Sequence, residues 1–206
     1  AHNRIFFGAP GTGKSYLLEE QRKRYFASPE SYERVTFHPD YCYANFVGTY
    51  KPVIVKNDDG KKEISYEYTP GPFLRVLVKA LKNAMTNEPK HYLLIIEEIN
   101  RANVAAVFGD VFQLLDRDAD SVSEFAIATS EDMKSYLTEA LGVDESKVES
   151  IKIPNNMFIW ATMNSADQGV YPMDTAFKRR WEFEYLSIDA KETAIKDWQL
   201  KDSTRD

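Results

Sequence analysis

Short continuous apolar runs alternate along the chain with stretches whose apolar residues recur every three or four positions, the pattern of buried strands joined by half-buried helices. Arg4-Ile5-Phe6-Phe7, Val35-Thr36-Phe37, His91 to Ile96, Met157 to Met163 and Trp181 to Tyr185 read as five strands. The run at His91 to Ile96 is almost unbroken, as expected of a central parallel strand covered on both faces. One helix starts near Lys14 and reaches about Phe26, and a second runs from Phe73 to about Met85 through Val76, Leu77, Ala80, Leu81 and Ala84. A third carries Val104, Val107, Phe108, Val111 and Leu115 on one stripe, and a short fourth spans Met173 to Arg180. This alternation predicts an α/β fold with a five-stranded parallel sheet flanked by helices.

Two segments break the rhythm. Pro52-Val53-Ile54-Val55 and Glu63 to Tyr68 flank the turn signal Asn57-Asp58-Asp59-Gly60, so residues 50–70 read as a hairpin closed by Pro70-Gly71-Pro72. Residues 117–156 are acidic and polar and read as an insertion, with one helix from about Glu131 to Leu141 stopped by Gly142. After Leu186 the pattern thins. The division is therefore a core over 1–187 and the start of a lid or linker over 188–206, and the opening at Ala1, almost inside a strand, suggests sequence upstream.

Composition narrows the classes. The 206 residues are 43% hydrophobic and 28% charged, enough for one globular domain. A net charge of −6 argues against a strong nonspecific nucleic-acid binder. The longest apolar stretch, Tyr92 to Ile96, is too short to cross a bilayer, so no membrane role is expected. The lone Cys42 fits a reducing cytoplasm and is expected as a small core filler, and the histidines form no metal-ligand pattern.

The chemistry is concentrated in a few motifs. Gly8-Ala9-Pro10-Gly11-Thr12-Gly13-Lys14-Ser15 is a complete GxxxxGK[ST] phosphate loop between a strand and a helix. Its glycines let backbone N–H groups approach phosphate oxygens, the helix adds its positive dipole end, Lys14 reaches the terminal phosphates and Ser15 ligates Mg²⁺. With Tyr16, these residues are the expected nucleotide-binding set. Leu93-Leu94-Ile95-Ile96 delivers Glu97 and Glu98 to a strand's C-terminal edge, where ligands bind in such sheets. Glu97 is expected to hold Mg²⁺ through its water shell and Glu98 to polarise the attacking water. Asn164 ends the next buried strand, either orienting that water or touching the γ-phosphate, or serving only as a strand-end cap. Among Lys178-Arg179-Arg180, a guanidinium suits the stabilisation of a transferring phosphoryl group on a neighbouring subunit.

Together these segments resemble the AAA+ ATPases, and within them the McrB-like motor subunits of modification-dependent restriction systems. The resemblance covers about Asn3 to Leu186 and rests on GAPGTGKS, FHPDYCYANFVGTYKP, LLIIEEINRANVAAVFGDVFQLLD and ATMNSAD followed by MDTAFKRRWEF. It implies a hexameric ring, Asn164 as sensor 1, Glu98 as catalytic base, and Arg179 or Arg180 as an arginine finger acting in trans. It also implies a McrC-like endonuclease partner and DNA contact through a domain N-terminal to this chain. By its position between the γ-phosphate edge and the helix with the arginines, the loop from Asn164 to Gly169 is expected either to feel that partner or to be a tight Asn/Asp/Gly turn without partner contact. The hairpin at 50–70 becomes the insertion in helix 2 that marks the branch. The nucleotide is ATP or GTP, with Mg²⁺, in a prokaryotic cytoplasm.

Three departures stand out. Glu97 occupies a position usually held by Asp, Met163 to Gly169 differs from the more usual MNTADRS, and the chain stops at Asp206, short of a full helical lid, so hydrolysis by it alone is expected to be feeble. The alternatives are a MoxR-like or dynein-related remodelling ATPase, and a nucleotide-dependent scaffold without turnover, against which Glu98, Asn164 and the paired arginines argue.

Overall fold

The computed structural model describes residues 1–56, 60–165 and 169–187. In chain order, its first half contains β1 (Asn3–Gly8), α1 (Lys14–Tyr25), β2 (Tyr32–Thr36), α2 (Tyr43–Phe46), β3 (Gly48–Lys56), β4 (Lys62–Pro70) and α3 (Pro72–Ala84). Then follow β5 (Tyr92–Glu97), α4 (Val104–Phe108), β6 (Ile127–Ala128), α5 (Glu131–Leu141), β7 (Ser150–Ile151), β8 (Met157–Asn164), α6 (Thr175–Lys178) and β9 (Glu182–Tyr185). The five strands expected from the apolar runs form one parallel sheet in the order β2-β5-β8-β1-β9.

Both faces of this sheet are covered, which is why its central strands read as continuous apolar runs. Phe6, Leu93, Ile95 and Trp160 point to the face packed by Leu18 of α1 and by Phe26. Their chain neighbours Ile5, Leu94, Ile96, Ile159 and Ala161 point to the other face, against Phe73, Leu74 and Leu77 of α3 and the aromatic residues of α2 and α4. The two-residue period of a strand thus divides each run between two cores.

The hairpin forms from β3 and β4, longer than the apolar residues alone indicate because Tyr50 pairs with Tyr68 and Gly48 with Pro70. Its turn residues Asn57, Asp58 and Asp59 lie outside the described residues. So do Ala166, Asp167 and Gln168 of the loop expected to feel a partner, and residues 188–206, read as the start of a lid.

Three expectations need correcting. The stripe from Val104 to Leu115 is not one helix. Gly109 takes φ +51° and breaks it into α4 and a 3₁₀ segment over Gly109–Leu115, although all five stripe residues remain buried. A side chain at Gly109 is excluded as well, since a Cβ there would lie 2.8 Å from the Tyr43 ring. Second, residues 117–156 are less peripheral than their polarity suggests: Ile127, Met133, Leu137, Val148, Ile151 and Ile153 all enter the main core. Arg117 fastens this segment, its buried guanidinium donating to the carbonyls of Ser121, Ile153, Pro154 and Met157. Burial lowers its pKa to about 10. Third, Cys42 is exposed rather than a core filler. It caps α2, with Sγ 3.0 Å from Asn45 Oδ1.

The segment FHPDYCYANF has a structural task that composition did not disclose. Phe37, Phe46 and Phe108 form a cluster with ring centroids 4.8 to 6.5 Å apart. Tyr43 seats on Gly109 and hydrogen-bonds Asp110, and burial pushes its phenol well above the usual tyrosine range. The two motifs on either side of the hairpin therefore pack on each other, holding the end of β2 against the segment that follows β5.

Candidate functional site

The strand order makes the site. With β5, β8 and β1 adjacent, the C-terminal ends carrying Glu97, Asn164 and Gly8 meet at one edge, and Asn164 is directly paired with Gly8. Ser165 N–H donates to the Gly8 carbonyl at 3.1 Å, closing that junction.

From Gly8 the chain turns through Gly11 (φ +82°) and Gly13 (φ +84°), left-handed conformations that glycine adopts without a Cβ penalty. The turn feeds straight into α1, so the N-terminal turn of that helix, with its positive dipole end, borders the loop. Lys14 is buried, its Nζ donating to the carbonyls of Gly8 at 3.1 Å and Ala9 at 2.7 Å, so the ammonium is folded across its own loop. Tyr16, by contrast, is 62% exposed on the helix surface.

Strand periodicity then brings the carboxylates into place. Glu97 follows Leu93 and Ile95 on the face covered by α1, and Thr162 and Asn164 follow Trp160 on the same face. Ser15 Oγ, at the start of α1, donates to Glu97 Oε2 at 3.1 Å. Thr162 Oγ1 donates to the same oxygen, and Arg34 Nη1 to Glu97 Oε1 at 3.0 Å.

Glu98 leaves the strand in a left-handed conformation, φ 56° and ψ 46°, unusual for a residue with a Cβ. Its N–H donates to Thr162 Oγ1 at 3.1 Å, and the turn aims its carboxylate at Asn164, whose Nδ2 donates to both oxygens at 2.9 and 3.0 Å. Backbone strain of this kind costs on the order of 1–3 kcal/mol and is found where surrounding contacts over-determine a functional side chain. Asn164 is held in turn by buried Asn100, whose Nδ2 donates to the Asn164 carbonyl at 3.0 Å.

Ser15 and Glu97 thus present a hydroxyl and a carboxylate oxygen at hydrogen-bond distance from each other beside the phosphate loop. Hard oxygen donors in this small number fit Mg²⁺, which keeps most of its ligands as water and phosphate. Ser15 would hold the ion directly and Glu97 through water, and bound Mg²⁺ would neutralise charge on the phosphates.

The two arginines differ. Arg180 is committed within its own subunit: Nε and Nη2 reach Asp116 Oδ2 at 2.9 and 2.6 Å, and the guanidinium lies 4.0 Å from the Phe112 ring centroid. Arg179, the C-cap of α6, is exposed. α6 is shorter than expected because Asp174 caps it, accepting from Phe177 N–H at 2.6 Å.

The sequence reading missed three participants: Arg34, Asn100 and Thr162. Thr162 had a signal, since it stands two residues before Asn164 on a strand and so shares its face. Arg34 and Asn100 had none until strand order was known.

Residues 3–181 match the family model described as AAA domain (dynein-related subfamily). The chain is 49% identical, over 96% of its length, to the type II restriction enzyme BsuMI component YdiS of Bacillus subtilis. It is 30% identical, over 88% of its length, to the type IV methyl-directed restriction enzyme EcoKMcrB subunit of Escherichia coli. It spans 61% of the first relative and 34% of the second. By the family match, which takes in the loop, both carboxylates and Asn164, the chain belongs to the AAA domain family, in its dynein-related subfamily, and is an AAA+ ATPase core homologous to McrB-like restriction components.

Proposed function

We propose that this chain is the nucleoside-triphosphate-hydrolysing motor of a McrBC-like, modification-dependent DNA restriction complex in prokaryotic antiviral defence. The observation that carries the hydrolytic part is the pair Glu98 and Asn164: a base held in a strained turn and aimed by an amide hydrogen-bonded to both its oxygens. A protein that only binds nucleotide needs neither. In this reading the loop N–H groups and Lys14 bind the phosphates, Ser15 and Glu97 hold Mg²⁺, Glu98 takes the proton of the attacking water and Asn164 orients both.

The ring assembly is part of the same proposal. Arg179 is the finger, because it is exposed at the end of α6, whereas Arg180 is spent on Asp116 and Phe112. The restriction partner rests on the two relatives, both named as restriction components. DNA is met through a domain outside this chain, and the nuclease through a McrC-like subunit.

The test is a reconstitution of the full-length protein with the endonuclease subunit encoded beside it, using ATP and GTP in turn with modified and unmodified DNA. Cleavage of modified DNA that requires one of the triphosphates is expected. Hydrolysis indifferent to both the nuclease and DNA would contradict the restriction role and favour a remodelling ATPase.

A further inference from the structure

Arg34 spans two carboxylates. Its Nη1 donates to Glu97 Oε1 at 3.0 Å and its Nη2 to Glu19 Oε2 at 2.5 Å, so one guanidinium bridges β5 and α1. It stands two residues before Thr36, which pairs with Glu97, so its side chain shares the face on which Glu97 lies. Glu19 is itself clamped from the other side by Arg22, whose Nη2 and Nε lie 2.5 and 3.1 Å from Oε1. That clamp is the main reason its carboxyl sits below the ordinary range.

Three donors therefore already engage the Glu97 carboxylate: Ser15 and Thr162 donate to Oε2, and Arg34 to Oε1. A hydrated Mg²⁺ approaching this carboxylate meets a fixed positive charge on the same group. The arrangement also gives a reason for glutamate at this position. Aspartate, one methylene shorter, would draw the carboxylate back toward β5, away from Ser15 and Arg34.

We propose that Arg34 is a positioning residue that controls when metal reaches Glu97: its guanidinium competes for this carboxylate, so that Mg²⁺ enters only together with the negative charge of a nucleotide's phosphates. Arg34 has somewhere to remain when Glu97 is taken, because its second anchor, Glu19, belongs to a separate ion pair. The inference rests on the nucleotide site proposed above and adds to it the order in which its charges are exchanged.

Calorimetric titration of ATP and of GTP into the protein at a series of Mg²⁺ concentrations tests this, with wild type, Arg34→Gln, Glu97→Asp and the double variant. Removing a cation beside a divalent-ion site lowers the Mg²⁺ concentration needed for half-maximal nucleotide binding by about three- to tenfold in Arg34→Gln. Glu97→Asp, which lets Arg34 go, shifts it in the same direction, and adding Arg34→Gln to Glu97→Asp changes it by less than about twofold. Mg²⁺ without nucleotide raises the melting temperature of Arg34→Gln but not of wild type. Arg34→Lys, which keeps the charge, retains the wild-type Mg²⁺ dependence and serves as the reporter should the glutamine variant fold poorly; a lysine variant that behaves as Arg34→Gln is expected to would overturn the proposal. An unchanged or higher Mg²⁺ requirement in Arg34→Gln would overturn it too. Wild type that binds neither nucleotide at saturating Mg²⁺ would overturn the nucleotide reading itself, and this inference with it.

Discussion

Glu98→Gln leaves binding of the Mg²⁺–nucleotide complex within about twofold of wild type and lowers turnover by about 10²–10⁴-fold, the usual contribution of a positioned general base. The amide occupies the carboxylate's space and still meets Asn164, but it accepts no proton. Binding survives because Glu98 lies beyond the loop: the structure connects it to Asn164, Arg101 and Thr162, not to Lys14 or Ser15. Glu97→Gln behaves differently, weakening the dependence on Mg²⁺, since Glu97 is the carboxylate that Ser15 touches. Single-turnover hydrolysis and equilibrium binding on the two variants separate the roles, and an exchange of phenotypes would show the assignment of the neighbouring carboxylates to be inverted.

In the proposed ring, Arg179→Ala keeps nucleotide binding and folding intact and lowers hydrolysis by about 10³-fold or more, the range for a finger that stabilises transferring phosphoryl charge. Arg180→Ala has another phenotype. It removes the partner of Asp116 and the cation stacked on Phe112, with the guanidinium side chain only 7% exposed. Leaving Asp116 without its partner costs about 1–3 kcal/mol of stability. Denaturant unfolding therefore moves for Arg180→Ala, while hydrolysis by the folded fraction falls less than for Arg179→Ala. Mixing Arg179→Ala with Glu98→Gln restores activity, because one kind of interface in the mixed ring combines an intact base with an intact finger. A mixture inactive at every ratio would exclude action in trans.

Much of this fold was legible because its signals are local. The apolar runs, their five-strand count, Gly142 after α5 and the two strands of the hairpin each follow from a few adjacent residues. The phosphate loop and the paired carboxylates were legible for the same reason: their chemistry requires fixed neighbours in sequence. What escaped depends on strand order. Arg34 and Glu97 are 63 residues apart, Thr162 and Glu97 65, and neither pair can be inferred before β2, β5 and β8 are known to be adjacent. The broken helix at Gly109 escaped because the apolar period persists through a 3₁₀ segment, while the break lies in the left-handed φ of one glycine, against which the Tyr43 ring from another part of the chain packs. Residues 117–156 misled through composition, since a few apolar side chains at well-placed positions suffice to anchor an otherwise polar stretch.

The claim at the centre of this account is that the loop from Gly8 to Ser15 binds a triphosphate through Lys14. Titration calorimetry of Mg²⁺–ATP and Mg²⁺–GTP into wild type and Lys14→Ala measures it directly. The ammonium is the one side-chain cation within the loop, and losing a charge-assisted contact of this kind costs on the order of 1.5–3 kcal/mol, roughly a 10- to 150-fold loss of affinity. Saturable binding by wild type with a loss of that size in the variant is the predicted result; equal affinities for the two proteins would contradict it.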